Sequence, residues 1–392
     1  MTKQIKSSRI QSIDILRGLV MVIMALDHVR DYFHLGAIVS DPLDLETTTP
    51  VLFMTRFVTH FCAPVFVFLT GTSASLYGQN KSKKALSKFL WTRGLWLIFV
   101  EIVIMNFLWW FDPSYSFINL QVIWAIGLSM IFLSILIYLP FKILLMLSLL
   151  IIFGHNLLDD ITVQGNSITS NLWYMFHQGN WPPVGRVIFY YPVLPWIAVM
   201  SLGYCFGSMY RKGFDQVKRK NYLLFLGMTT IVLFLLIRIV NIYGDMVPWR
   251  EQKDFLFTLL SFINVSKYPP SLLYILITIG PTFIVLYLLE GVKSRVTDFL
   301  LVFGRVPFFY YVMHILFIHS AALLTLVVLG GNWRLMIFDM TSFTTNKMAT
   351  YGYSLGIVYL VWILIVASLY PLCKKYMYYK LSHPEKRWLS YL

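Results

Sequence analysis

The chain has few charged residues for its length. Asp, Glu, Lys and Arg make up 13% of its 392 residues, whereas roughly 25% is usual for a soluble domain. Hydrophobic residues make up 58%. This composition excludes an ordinary soluble enzyme and predicts an all-α, polytopic membrane protein.

Cysteine is also scarce. Cys62, Cys205 and Cys373 lie in different apolar runs, and none belongs to a CxxC pair, so neither a disulfide framework nor a metal site is predicted. No Gly-rich phosphate loop is present. The net charge of +14 could suit nucleic acid. We favour a different interpretation, in which basic residues set the membrane topology and contact anionic lipid headgroups, with no nucleic-acid partner.

Long hydrophobic runs dominate what remains. Stretches of about 17–25 apolar residues are typical of membrane-spanning helices, and we predict about ten in a single domain over residues 1–392. Their approximate bounds are 13–33, 54–77, 90–111, 118–139, 141–158, 190–210, 222–243, 270–290, 306–329 and 354–373.

The distribution of Lys and Arg predicts the topology. These residues are concentrated in segments 1–12, 78–93, 211–221 and 374–392. Since cytoplasmic loops carry the excess of positive charge, we expect both termini to be cytoplasmic. The extracytoplasmic loops are then 34–53, 159–189, 244–269 and 330–353.

The first apolar helix carries unusual charge. The run Ile13–Phe33 is apolar enough to enter a membrane, and a charge at the bilayer centre costs about 2.5–3.5 kcal/mol on the lenient scale. Such groups normally face a protein interior or a cavity, so a functional site is the default hypothesis. The ionisable residues of this run are Asp14, Arg17, Asp27, His28, Arg30 and Asp31.

Arg17 and His28 are predicted to share one helix face. Eleven residues correspond to three turns plus roughly 20°, and to a rise of roughly 16 Å. Asp14 can pair with Arg17 at i−3. Asp27 and Asp31 can orient the ring of His28 and make it a general base. Two other interpretations stay open: a structural network, and a proton relay in a transporter.

The second and third predicted helices also carry polar residues within their membrane-spanning runs. Arg56 and His60 are four residues apart, so they share a face of the second helix, and we predict that they bind the substrate. Glu101 lies in the third helix and needs a partner on another helix; Arg93 or Arg17 could serve. A structural role is an alternative for each of these residues.

Several motifs resemble one known family. They are Arg9, SIDILRG (Ser12 to Gly18), LDHVRDYF (Leu26 to Phe33), APVFVFLTG (Ala63 to Gly71), YPVLPWIAVMSLGYCFG (Tyr191 to Gly207) and FGRVPFFYYVMH (Phe303 to His314). The chain resembles the integral-membrane acyltransferase superfamily. Its closer branch is similar to the catalytic domain of heparan-alpha-glucosaminide N-acetyltransferase and its bacterial relatives.

That resemblance implies an acetyl-CoA-dependent acetyltransferase in a bacterial inner (cytoplasmic) membrane. The acetyl group would pass to an extracytoplasmic sugar or glycan acceptor that offers a hydroxyl or an amine. In one branch the catalytic histidine matches His28, and in the other it lies later, near His34; we favour His28. His314 matches a late family histidine and is assigned to substrate binding. The chain could assemble as a homodimer.

The phosphates of acetyl-CoA require cations near the cytoplasmic face, and we assign Arg9, Arg17, Arg93 and Arg305 to that role. Two routes stay open for the transfer. In one, His28 deprotonates the acceptor for direct attack; in the other, a histidine is transiently acetylated. The main alternative function is a proton-coupled transporter that uses Asp27, His28 and Asp31.

Overall fold

The computed structural model of the chain describes residues 10–37, 40–181, 185–343, 351–386 and 388–389. Within these residues the fold is mainly α-helical, which confirms the predicted class. The helices are α1 (Gln11–Phe33), α2 (Pro50–Thr59), α3 (Cys62–Gly78), α4 (Lys83–Val100), α5 (Asn106–Trp110), α6 (Val122–Leu136), α7 (Phe141–Gly154), α8 (Ile168–Trp173), α9 (Leu194–Phe206), α10 (Gln216–Val240), α11 (Phe255–Ile263), α12 (Leu272–Leu289), α13 (Arg295–Arg305), α14 (Pro307–Val328) and α15 (Leu355–Ser382). Two short parallel strands, β1 (Ile118–Leu120) and β2 (Val187–Phe189), pair with Ile118 opposite Val187.

Seven helical segments among the described residues are long and apolar enough to cross a membrane. Each of the other three predicted runs also coincides with a helix, but α1 carries several charges and α6 and α9 are short. The count of ten spans therefore stays a prediction. The seven segments are Pro50–Gly78, Lys83–Trp110, Phe141–Leu158, Gln216–Val240, Leu272–Leu289, Pro307–Val328 and Leu355–Ser382.

The second predicted span is interrupted between α2 and α3. Pro64 lies in the first turn of α3, and a proline ring clashes with the carbonyl four residues earlier, which belongs to His60. The freed carbonyl of His60 accepts a hydrogen bond of 2.8 Å from the hydroxyl of Tyr274. The break therefore places His60 at a joint between two helices.

The charged helix α1 is a central element of the fold, and it contacts α3, α12, α13, α14 and α15. Its approach to α13 requires glycine: a Cβ on Gly18 would overlap the carbonyl of Leu300, and one on Gly304 would overlap the carbonyl of Asp14. Backbone contact of this kind is typical of helix packing through small residues in membranes. It holds the Arg17 end of α1 tightly against α13.

Glu101 has its partner on another helix, as predicted, but that partner is a helix N-terminus rather than one of the two arginines suggested. A π-helical turn, Glu101–Met105, separates α4 from α5. The carboxylate accepts hydrogen bonds from the backbone N–H groups of Gln121, at 3.3 Å, and Trp124, at 3.2 Å. These groups belong to the start of α6, where unpaired N–H groups favour an anion.

Candidate functional site

A cavity of about 1440 Å³ lies at the His28 end of α1. We call it the outer cavity, because the predicted topology puts this end outside. Its walls combine aromatic rings with a few charged groups, which is typical of a small-molecule site. The charged and aromatic residues of the lining include Asp27, His28, Asp31, Arg56, His60, Trp109, Tyr190, Tyr191, Lys267, Tyr268 and Tyr311.

His28 is hydrogen-bonded to His314, with 2.6 Å between Nδ1 of His28 and Nε2 of His314. Nδ1 of His314 lies 3.0 Å from the carbonyl oxygen of Tyr310. Because a carbonyl can only accept, Nδ1 of His314 carries the hydrogen, and Nε2 of a neutral ring is then an acceptor. His28 must therefore donate from Nδ1, and a neutral His28 keeps the lone pair of Nε2 as a proton acceptor.

Aromatic side chains hold His28 in place. The ring of Trp109 meets it edge-on, with 4.8 Å between centroids, and Tyr311 does so at 6.4 Å. The backbone carbonyl of Trp109 accepts a hydrogen bond of 2.6 Å from the hydroxyl of Tyr32. A base whose ring is packed and whose tautomer is set by a partner is organised for proton transfer.

Asp27 and Asp31 form no hydrogen bond with His28, so the prediction that they orient its ring is wrong. Asp27 forms ion pairs with Arg56 and, at 3.1 Å, with Arg30. Asp31 pairs with Arg30 at 2.6 Å. Both carboxylates are near His28 in sequence but bind arginines. For the buried Asp27 the reason is that a carboxylate removed from water needs a hydrogen-bonded cation. His314, on another helix, takes the orienting role.

Arg56 and His60 both line the outer cavity, as the shared helix face predicted. His60 is only 1% exposed. Neither ring nitrogen of His60 has a hydrogen-bond partner among the described residues. A buried imidazole in this state is costly, because polar groups removed from water are normally hydrogen-bonded.

His34 is not among the residues that line the outer cavity. It follows the last turn of α1, where its backbone N–H bonds the carbonyl of Arg30 and its backbone pairs with Tyr353. Burial and, secondarily, the charge of Arg30 lower the pKa of His34, so the neutral ring is favoured. Of the two candidate histidines, only His28 meets the cavity.

Arg17 lies at the opposite end of α1 and is not among the residues lining the outer cavity. It bonds Asp14 at 2.9 Å, as predicted, and also Ser73 at 2.8 Å and the carbonyl of Gly304 at 3.3 Å. Arg93 lies over the ring of Phe89, the Nε of Arg305 is buried without a hydrogen-bond partner in the described structure, and Arg9 lies outside the described residues.

Lys267 and Tyr268, in the predicted extracytoplasmic loop 244–269, are site residues that no sequence motif indicated. Both line the outer cavity. Burial alone would raise the pKa of Tyr268, but the positive charges of Lys267 and Arg56 outweigh it and lower that pKa. Two cations, Lys267 and Arg56, therefore lie close to the hydroxyl of Tyr268.

No cluster of three or more His, Cys, Asp and Glu side chains in the described ranges could hold a metal ion. The arrangement can nevertheless move a proton: a neutral imidazole with a free lone pair lies at a polar cavity, backed by a second imidazole. That chemistry suits activation of an amine or a hydroxyl for attack on an acyl group.

One family model matches the chain. Its description is heparan-alpha-glucosaminide N-acetyltransferase, catalytic, and the match covers residues 9–239. The matched region includes α1, the α2–α3 joint and the cavity-lining residues up to Pro192. No curated protein matches the chain.

Proposed function

Because the chain belongs to the heparan-alpha-glucosaminide N-acetyltransferase catalytic family, we propose that it moves an acetyl group from cytoplasmic acetyl-CoA to an extracytoplasmic sugar or glycan acceptor. The proposal includes about ten spanning helices with both termini in the cytoplasm of a bacterial cell and the protein in its inner membrane. A homodimer is the assembly we would test first.

The hydrogen-bonded pair of His28 and His314 carries the proposal. The amine or hydroxyl of the acceptor attacks the thioester carbonyl while Nε2 of His28 takes its proton. The C–S bond then breaks, and the leaving thiolate of CoA takes the proton back from the imidazolium. His314 stabilises that imidazolium by accepting from Nδ1. The direct route suits this pair, since His28 needs to hold a proton only briefly.

The acceptor is proposed to bind in the outer cavity. The rings of Tyr190 and Tyr268 lie 4.2 Å apart between centroids, and Tyr191 lies 5.2 Å from Tyr268. Such a wall can pack against the apolar face of a sugar, while Arg56 and His60 supply polar contacts. His60 gains most, because its two ring nitrogens have no partner in the described structure.

Acetyl-CoA is proposed to approach from the Arg17 end of α1. Arg17 already pairs with Asp14, whereas the buried Nε of Arg305 has no hydrogen-bond partner among the described residues. Arg305 follows Gly304, whose carbonyl Arg17 binds. Arg17 and Arg305 are therefore the cations we assign to the phosphates, with Arg93 and Arg9 as further candidates.

The test uses the full chain in lipid nanodiscs with radiolabelled acetyl-CoA and glucosamine. We expect labelled N-acetylglucosamine from the wild type and a loss of about 10²–10⁴-fold in His28→Ala. Proton-driven uptake of a solute into vesicles without any dependence on acetyl-CoA would overturn the proposal in favour of the transporter.

A further inference from the structure

A second, smaller pocket adjoins the outer cavity. Its volume is about 310 Å³, and we call it the side pocket. Arg238 of α10 and Ser261 of α11 line it. Four other residues line both spaces, so a molecule bound in the outer cavity can reach into the side pocket. The shared residues are Leu45, Val247, Gln252 and Asn264.

One wall of the side pocket belongs to a helix that is suited to span the membrane. Arg238 lies in the last turn of α10, and α10 is one of the seven long apolar segments. Around and just beyond that turn the side chains of Ile239, Val240 and Ile242 are exposed. On a membrane-spanning helix such side chains contact lipid, because the surrounding solvent is hydrocarbon. The side pocket therefore lies at the edge of the bilayer.

The opposite wall belongs to α11, which is apolar on two faces. Phe257 and Leu260 are buried in a cluster that joins α11 to α2. On the other face Phe255, Leu256 and Leu259 are exposed. Exposed aromatic and aliphatic side chains on a short helix outside the predicted spans are typical of a helix in the membrane interface. Both walls of the side pocket thus meet lipid.

The side pocket is held in shape by Arg238, which is only 1% exposed. Its guanidinium donates hydrogen bonds to the carbonyls of Asn264 at 2.7 Å, Phe262 at 2.8 Å, and Val247 and Ser261 at 3.0 Å. These bonds tie the loop after α10 and the end of α11 to one side chain. A pocket that is formed in advance lowers the entropic cost of binding a ligand there.

We propose that the acceptor is a sugar covalently joined to a lipid chain, which enters sideways from the outer leaflet. The chain occupies the side pocket, and the sugar occupies the outer cavity near His28. This inference rests on the proposed function for the transfer itself. The side pocket suits a chain, because its open surface is mainly apolar and its buried guanidinium is already bonded to backbone carbonyls.

The test compares methyl and octyl glucosaminide, which share the amino sugar and differ in the alkyl chain. In nanodiscs the wild type is expected to show a kcat/KM at least about tenfold higher for the octyl acceptor, since each buried methylene contributes about fourfold. Val247→Trp and Pro248→Trp, tested separately, fill the side pocket and should lower this ratio about tenfold. Partitioning into the bilayer cannot cause that fall, because it is the same for every variant.

Val328→Trp is the matched control. Val328 is an exposed valine at the end of α14, and it lines neither the outer cavity nor the side pocket. Its ratio of octyl to methyl acceptor should equal that of the wild type. Pro248 lines the side pocket but not the outer cavity, so Pro248→Trp should leave the methyl acceptor unaffected. An unchanged ratio in both pocket variants would overturn the inference.

Crosslinking separates this inference from the proposed function. An octyl glucosaminide with a diazirine at the end of its chain, irradiated in nanodiscs without acetyl-CoA, should label peptides that contain Leu45 or Val247, and unmodified octyl glucosaminide should compete. Competed labelling without acetyl transfer by the wild type would support a site for a lipid-linked sugar and contradict the proposed function. Transfer without labelling, at the same ratio in every variant, would do the reverse. Labelling that octyl glucosaminide does not displace would assign the side pocket to bilayer phospholipid and overturn the inference.

Discussion

The two ends of α1 carry similar charges and lie in opposite environments. At one end Arg17 makes polar contacts with Asp14, Ser73 and the carbonyl of Gly304, against a helix packed through glycine. At the other end His28 and Asp31 line a cavity of about 1440 Å³. Charge on a membrane helix therefore does not by itself mark the reactive end.

The difference lies in which polar groups face open space. At the inner end Arg17 links α1 to α3 and α13 through Ser73 and the carbonyl of Gly304. At the outer end, Nε2 of His28 and both ring nitrogens of His60 lack a hydrogen-bond partner among the described residues, and both histidines line the cavity. Groups of this kind gain stability only when a ligand binds, so the outer end is where we expect substrate.

The largest difference in acetyl transfer should separate the variants of His28 and His34, the two histidines near the outer end. His28→Ala is expected to lower acetyl transfer by about 10²–10⁴-fold because the base is lost. His34→Ala is the matched variant, since His34 does not line the cavity, and should change the rate less than about tenfold. The assay is transfer from labelled acetyl-CoA in nanodiscs. A larger loss in His34→Ala would reverse the assignment.

Stability should also distinguish the two ends. Asp27→Ala leaves Arg30 and Arg56 without their shared carboxylate, and removing one member of a buried pair costs about 3–5 kcal/mol. Asp14→Ala leaves Arg17 bonded to Ser73 and to the carbonyl of Gly304, so a loss of about 1.5–3 kcal/mol is expected. Denaturant unfolding in detergent measures both. Equal losses would show that the inner network is as tightly coupled as the outer one.

A smaller effect is expected from His314. His314→Ala removes the acceptor that sets the tautomer of His28, while the base itself stays, so transfer should fall about 10- to 100-fold, as for other orienting partners. His314→Gln keeps an oxygen that can accept from Nδ1 and should recover part of the rate. Rates in the Gln variant no higher than in the Ala variant would argue against tautomer control.

The smallest losses of stability should come from removing a single hydrogen bond at either end of α1. Tyr32→Phe removes the bond to the carbonyl of Trp109, and Ser73→Ala removes one bond to Arg17. Each should cost about 0.5–1.5 kcal/mol of stability. Only Tyr32→Phe should also slow transfer, since Trp109 packs on His28. Slower transfer in Ser73→Ala at saturating acetyl-CoA would contradict the comparison.

The positions of most helices could be predicted from the sequence. Apolar runs located the helices, and the i−3 pair of Asp14 and Arg17 forms as expected, because both observations depend on local periodicity. Glu101 has the predicted partner on another helix, but it is a helix N-terminus instead of an arginine, and the carboxylates beside His28 pair with arginines instead of the histidine. A local pattern cannot distinguish among several nearby cations, nor can it reveal a free helix N-terminus on another element.

Hydrophobicity and helical spacing are local properties, so the order of amino acids alone predicts a helical protein suited to a membrane, with charge buried in its first helix. How that charge is used depends on tertiary packing. The contact of His28 with His314 and the hydrogen bond from Tyr274 to the carbonyl of His60 join residues far apart in the chain. Side chains so distant in sequence meet only through packing, and packing therefore turns one charged end of α1 into a structural joint and the other into a candidate site.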